Sequence, residues 1–397
     1  MSIFRFGGSL IIVALVLSAG AQGQTKAKTT IVALANGTKF EGAVVKESKD
    51  QIVFETELGR RVVPAAEIAS RESAAPVRAE YESRAAKFPS GQIAAREALA
   101  AWARDRGLTS AFAAEASRLF DLDPAHETAW KWVRSDAPLY DLVANPQPTD
   151  KDRWVRAQID LLFETAAKAS FVKAALARVQ LEGLDPELVT AAGVKHVKSG
   201  SAPVRWLAVA VLGGTRDVRR VKPLYNRALC DGIAAVRQEA VASLKRSAKG
   251  EFIGPFLANL SKNEQPLVRL YAAEALGAAG DARAVPGLIN ALAALDAGAR
   301  PLAHQNIVVT TQTAYVKDYD VEVAQSAFIA DPIVDVVQEG AVLDAALISV
   351  DIQKRVIGNS LRRLSGRDFG VNVKAWRAYW EDEAKKTERE GNTTDLR

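Results

Sequence analysis

Between Thr30 and Pro64 apolar and polar residues alternate, whereas beyond Arg71 the apolar positions return every third or fourth residue. The first period is that of half-buried strands and the second that of amphipathic helices. Thr30-Ile31-Val32-Ala33-Leu34 predicts a strand, and Asn36-Gly37 a hairpin turn. Residues 38–46, with Phe40 and Val44, predict the next strand. Lys49-Asp50 and Leu58-Gly59-Arg60 mark further turns around strands at 51–57 and 61–64. Four or five strands packed into 30–70 imply a small curled sheet or barrel.

The helical part opens with Ile93, Leu99 and Trp102, and Gly107 suits a helix C-terminus. Thr109 or Ser110 could cap the next helix, which carries Phe112, Ala116 and Leu119. Asp123-Pro124 should end it and begin another, holding Trp130 and Val133.

A repeat governs 204–296. Val204-Arg205, Val236-Arg237 and Val268-Arg269 recur every 32 residues, as do Ala208, Ala240, Ala272 and Leu212, Leu244, Leu276. Val, Ala and Leu at i, i+4 and i+8 share one helix face. Pro223, Pro255 and Pro286 are expected to open the alternate helices. Each unit is thus a helical pair that cannot cover both its faces, so neighbours must stack. Val155-Arg156 with Ile159 and Phe163 reads as a diverged upstream unit, and so do the helices around Gly183.

Residues 282–295 predict the first helix of a fourth unit, yet a β-branched stretch follows, with turn signals at Lys317-Asp318, Asp331-Pro332 and Glu339-Gly340. Residues 351–364, with Val356, Ser360 and Leu364 four apart, supply the displaced second helix. The span 297–350 is therefore a β insertion, either functional or a lid on the core. Trp376, Tyr379 and Trp380 share a helix face, which predicts a C-terminal cap rather than a ligand site.

The stretch VRLYAAEALGAAGDARAVPGLINAL at 268–292 resembles the short bacterial form of the HEAT repeat shared with phycobilin lyases. That resemblance implies an α-solenoid whose Val-Arg helices line the concave face. The strand pattern at 30–70 resembles SH3-like and Sm-like barrels, and residues 99–130 resemble a tetratricopeptide-type hairpin with Ala103 where an aromatic is usual; a plain helical spacer fits the latter as well. The LSGRDFG segment at 364–370 resembles a closing segment of secreted bacterial HEAT-repeat proteins. The expected fold is mainly α, a solenoid of HEAT-like hairpins with an N-terminal β-barrel-like module and a β-hairpin insertion near the C-terminus. The expected parts are a signal peptide (1–21), a linker (22–29), the β module (30–70), a tetratricopeptide-like region (77–135), repeats (150–296), the insertion (297–350), capping helices (351–384) and a flexible tail (385–397).

Composition narrows the function. Of 397 residues 48% are hydrophobic and 25% charged, which excludes a disordered chain. One cysteine rules out an internal disulfide and cysteine-rich metal modules. Net charge is +5 with no basic run, so nucleic acid is not an expected partner. Arg5, the apolar run LIIVALVL at 10–17 and Ala19-Gly20-Ala21 have the order of a cleavable secretory signal, too short for a membrane span. Export to the periplasm or the medium is expected, with no stable membrane anchor after cleavage.

No phosphate loop, nucleophile elbow or H-E-x-x-H occurs. His126, His196 and His304 lie in separate segments, each without a His or Cys at ligand spacing, so no metal or other cofactor is expected. Cys230 is read as a small buried thiol, and Asp318, Asp320 and Glu322 as a solvated strand edge before a calcium site. Arg205, Trp206, Arg237, Glu239, Arg269 and Glu274 form the candidate partner-binding surface. The arginines alternatively hold an acid or carbonyl of the adjoining unit. The leading expectation is a non-catalytic scaffold for protein partners; the others are an enzyme or chaperone like the bilin lyases and a nucleic-acid or small-ligand binder using the β module.

Overall fold

A computed structural model describes residues 29–87, 92–142, 151–214, 218–247, 252–297, 308–324, 327–342 and 350–394. The expected signal peptide and nearly all of the linker lie outside them. The chain is mainly helical, with a small antiparallel sheet at its N-terminal end. Among the described residues no helix is long and apolar enough to cross a membrane.

The sheet is built from β1 (Thr30–Leu34), β2 (Lys39–Glu47), β3 (Gln51–Thr56), β4 (Gly59–Pro64) and β5 (Ile68–Ser73), in the order β4-β3-β2-β1-β5. Gly37 takes a φ of 84° while Asn36 Oδ1 accepts from the Thr38 N–H at 2.9 Å, which tightens the first hairpin. Val32, Leu34, Phe40, Ile52, Phe54 and Val63 form its own core, with the Phe40 and Phe54 rings edge to face at 5.2 Å. The last strand, beyond the alternating pattern, returns beside β1 and runs to Ser73.

Next come α1 (Ala75–Ala85), α2 (Ile93–Asp105), α3 (Thr109–Leu122) and α4 (Glu127–Asp136). Gly107, with φ 74°, follows the end of α2. Neither Thr109 nor Ser110 is the cap of α3: the N-cap is Leu108, whose side chain cannot accept. The acceptor comes from the sheet instead. Glu41 of β2 receives the Ser110 N–H at 3.2 Å and the Ser110 hydroxyl at 2.6 Å, while its own N–H donates to Thr109 Oγ1 at 2.9 Å. A carboxylate at a helix N-terminus is favoured by both the unpaired amides and the dipole. Arg78 of α1 completes this buried junction by pairing with Glu41. His126 is the N-cap of α4, its Nδ1 accepting from Ala129 N–H at 3.2 Å.

α5 (Lys151–Leu161) continues through a π turn at Leu162–Ala166 into α6 (Ala167–Ala169). Then follow α7 (Phe171–Leu181), α8 (Pro186–His196), α9 (Ala202–Leu212), α10 (Val218–Cys230), α11 (Ala234–Ser247), α12 (Gly254–Lys262), α13 (Pro266–Ala279) and α14 (Val285–Asp296). α8 pairs with α9, α10 with α11 and α12 with α13, and the second helices of these pairs stack in turn on one another. The recurrent Val, Ala and Leu of α9, α11 and α13 are all buried. Pro255 and Pro286 sit in the first turns of α12 and α14. Pro223 does not open its helix: α10 starts at Val218, so this proline lies inside it.

β6 (Val308–Ala324) and β7 (Ala327–Val342) form one long antiparallel pair between α14 and α15 (Val350–Ser365), which pack on each other. The expected turns at 317–318, 331–332 and 339–340 fall inside these strands; the first coincides with a register shift between Val316 and Asp318. The side chains of Asp318, Asp320 and Glu322 lie outside the described ones. α15 buries Gln353, Ile357, Ser360 and Leu361. Of the expected line, Ser360 is buried, while Val356 and Leu364 are partly buried against the core and Gln353, Ile357 and Leu361 lie deeper. α16 (Val373–Thr394) buries Trp376, whose indole N–H donates to Gly370 O at 2.9 Å and whose ring meets Phe369 at 4.9 Å. The helix continues past 384, supported at the surface by Lys386 with Asp382 at 2.8 Å and Glu383 at 3.0 Å.

The stacked helices meet closely where glycine faces serine. A Cβ at Gly213 would fall 2.6 Å from the Ser243 side chain, and one at Gly277 would fall 2.6 Å from Ser360 Oγ. Ser360 itself donates to Ala273 O at 2.8 Å in the buried interface. Gly277→Ala is expected to destabilise the protein by about 1–3 kcal/mol through overpacking, and adding Ser360→Gly should recover part of the loss, both read from urea midpoints.

Candidate interaction surface

The Val-Arg helices each begin with the same clamp. Arg205 Nη1 donates to the carbonyls of Ser199 (2.9 Å) and Gly200 (3.1 Å). Arg237 Nη1 reaches Asp231 O (3.0 Å) and Gly232 O (3.4 Å), and Arg269 Nη1 reaches Asn263 O (2.7 Å) and Glu264 O (3.1 Å). The acceptors are always six and five residues back, in the turn that joins the two helices of a unit. One fork therefore holds the turn while leaving Nε and Nη2 for a second partner.

For Arg205 that partner is Asp231, bonded from Nε at 2.8 Å and Nη2 at 3.0 Å. Asp231 is fully buried and also accepts from Arg227 at 3.2 Å and from the Ile233 N–H at 3.0 Å. Burial pushes its carboxyl upward, but the Arg205 bonds, the Ile233 N–H and the two guanidinium charges outweigh that and hold it below 3.8. For Arg237 the partner is Glu274, at 3.2 and 3.0 Å, and the guanidinium also lies 3.8 Å from the centre of the Tyr271 ring. Arg269 has no second partner among the described residues.

Two residues of the candidate surface are not on the surface. Trp206 is fully buried, stacked 6.0 Å from Trp130 and packed against Phe120 and Phe171. It lies on the core side of α9, which faces both the next unit and the upstream helices. Glu239 is buried too, bonded by Arg246 at 2.7 Å, Ser243 at 3.3 Å and Arg178 at 3.4 Å. Burial lowers the affinity of Arg178 for its proton, against the pull of Glu239. Cys230 is exposed rather than buried, because the inward face of α10 runs through Leu224 and Ala228 and the last residue points away from it.

Two further polar clusters escaped the sequence, since their members are far apart along the chain. Glu115 of α3 is fully buried between Arg96 at 3.0 Å, Arg118 at 2.5 Å and the hydroxyl of Tyr81, which donates at 2.6 Å. Burial and the Glu115 carboxylate push the Tyr81 phenol up to about 12. Asp160, Glu164 and His196 bring possible ligand atoms within 4.8 Å of one another. The Lys195 ammonium already lies among them, 2.8 Å from Asp160 and 3.5 Å from Glu164, and His196 stacks on Phe163 at 4.9 Å. A cation is thus supplied by the chain itself. His304 lies outside the described residues.

Residues 268–294, which span most of α13 and α14, match the model of the PBS lyase HEAT-like repeat. The chain thus carries a HEAT-like repeat at this unit. No curated protein matched the chain. The matched unit is the one whose arginine meets no acid among the described residues.

Asp231→Asn is expected to cost about 3 kcal/mol at pH 7, because it leaves two guanidinium groups facing a buried neutral amide. The folded-state pKa is depressed, so the wild-type contribution is complete above the unfolded value and disappears as pH falls through the folded one. The gap between wild type and variant in chemical denaturation should accordingly narrow below about pH 4.

Proposed function

We propose that this repeat scaffold works outside the cytoplasm as a non-catalytic binder of protein partners. The observation that carries this reading is the regular stacking of α9, α11, α13 and α15, which extends one surface over successive units. Such surfaces, in a solenoid, engage partners by area and need no reacting groups. The charged groups of the repeats serve the fold: Asp231 and Glu239 are both buried under arginines. Partner contact therefore falls to positions such as Ile233 and Leu267, exposed apolar residues at the starts of α11 and α13. The N-terminal sheet, as a small barrel-like module, seals one end of the solenoid, and the apolar run at 10–17 directs export.

Ile233→Asp combined with Leu267→Asp should leave helical circular dichroism unchanged and lower capture of the partner by at least about tenfold in paired affinity purifications. Retention of the same partner at wild-type level would refute the surface. Export predicts a mature protein whose N-terminal sequence starts at Gln22, read by Edman degradation from the native host. A bilin-lyase-like role predicts instead that the purified protein takes up an open-chain tetrapyrrole and acquires visible absorbance.

A further inference from the structure

Among the described residues the clamp described above is complete in two copies and open in the third, and the open copy faces a cavity. In α13 the acid that receives Arg237 is Glu274, the residue before Ala275. Ala275 is 32 residues after Ser243, and Ser243 and Ser360 make equivalent contacts with Gly213 and Gly277. The position of Glu274 in the next helix is therefore held by Asn359, just before Ser360. An amide stands there, where the partner of Arg237 is a carboxylate. The acid at the end of α14, Asp296, is taken by Lys354.

Arg269 also lines a cavity of about 730 Å³ enclosed by α12, α13, α14 and α15. That size lies within the range of roughly 300–1,000 Å³ typical of small-molecule sites. Its walls are largely aliphatic, including Leu257, Leu260, Leu270, Ala291, Leu295 and Ile357. Among the described residues no Asp or Glu lines it, and the other lining guanidinium, Arg283, is paired with Asp281. An apolar chamber with one cation that meets no counter-ion among the described residues is complementary to a molecule that is apolar along its body and anionic at one end. A planar fork with Nε and Nη2 open suits a carboxylate in particular.

We infer that this cavity binds a medium-chain alkyl carboxylate, its chain against the aliphatic walls and its carboxylate on Nε and Nη2 of Arg269. The inference is independent of whether the outer surface engages a protein partner. It also explains why the clamp is left open only where the cavity is.

Isothermal titration of the full-length mature protein with decanoate and with decanol, below their aggregation limits, tests it. The wild type should bind one decanoate at least about tenfold more tightly than decanol, the increment of a charge-assisted hydrogen-bonded pair. Arg269→Gln should abolish that preference and leave decanol binding unchanged. Arg269→Lys, which keeps the charge but not the fork, should retain part of it and serves if the Gln variant fails to fold. Ala294→Phe, at an exposed lining position, should weaken both ligands by narrowing the chamber. Equal binding of decanoate and decanol by the wild type, an unaltered decanoate affinity in Arg269→Gln, or no binding of either would overturn the proposal.

Discussion

Every pair of helices in this protein has two apolar faces and can cover only one by itself. That constraint organises the rest. Each unit is stable only because the next one lies against it, and the approach has to be close enough for side chains to interlock. Gly213 against Ser243 and Gly277 against Ser360 set that distance, while the Val, Ala and Leu positions fill the seam. The chain of dependence needs an end on each side. At the N-terminal side the sheet provides one, joined to the helices through the buried Glu41. At the other, Trp376 and Phe369 cover the last exposed flank.

Charge inside the stack follows from the same packing. A unit meets its neighbour through turns as well as helix faces, and turns carry carbonyls that need donors. One arginine per unit meets that need and remains able to reach an acid in the following unit. The result is an internal lattice of forks, Arg205 to Asp231 and Arg237 to Glu274, that ties neighbouring units together. Breaking the Arg205–Asp231 tie leaves a buried charge without its partner, which costs far more than a surface ion pair contributes. The same logic explains why Glu239 and Glu115 are surrounded by several donors each. Where the rule is not followed, at Arg269, the guanidinium borders an aliphatic chamber, and the local departure acquires a chemical meaning.

Much of the fold was legible in the sequence because it depends on short-range periodicity. The two-residue alternation located the strands from Thr30 to Pro64, and the 32-residue recurrence of Val-Arg, Ala and Leu located the stacked helices. The aromatic triplet in α16 was readable as a cap for the same reason, since residues three and four apart share a face. What such patterns cannot carry is the phase of a helix against a distant neighbour. In α15 Ser360 faces inward as the pattern implies, but its contact with Gly277 turns Gln353, Ile357 and Leu361 deeper than Val356 and Leu364, which border the core. Turn-forming residues at 331–332 and 339–340 were absorbed into a long strand, because pairing with β6 along its length supplies backbone bonds that a local turn would forgo.

The sequence by itself determined the class of the chain: stacked helical pairs after a small sheet, with one cysteine and few histidines and hence little provision for metal or thiol chemistry. Local periodicity and composition suffice for that, since they decide which faces must be buried. Tertiary structure alone decided which of the candidate residues remain available to a partner. Trp206 and Glu239 sit in a surface-like position of the repeat yet are enclosed, because upstream helices and Arg178 lie across them. Arg205, Arg237 and Arg269 share a preceding valine and the alanine and leucine that follow, and among the described residues it is the acid placed opposite by the next unit that distinguishes two ties from an open cation. That acid lies 26 residues on from Arg205 and 37 from Arg237, separations that no local pattern records.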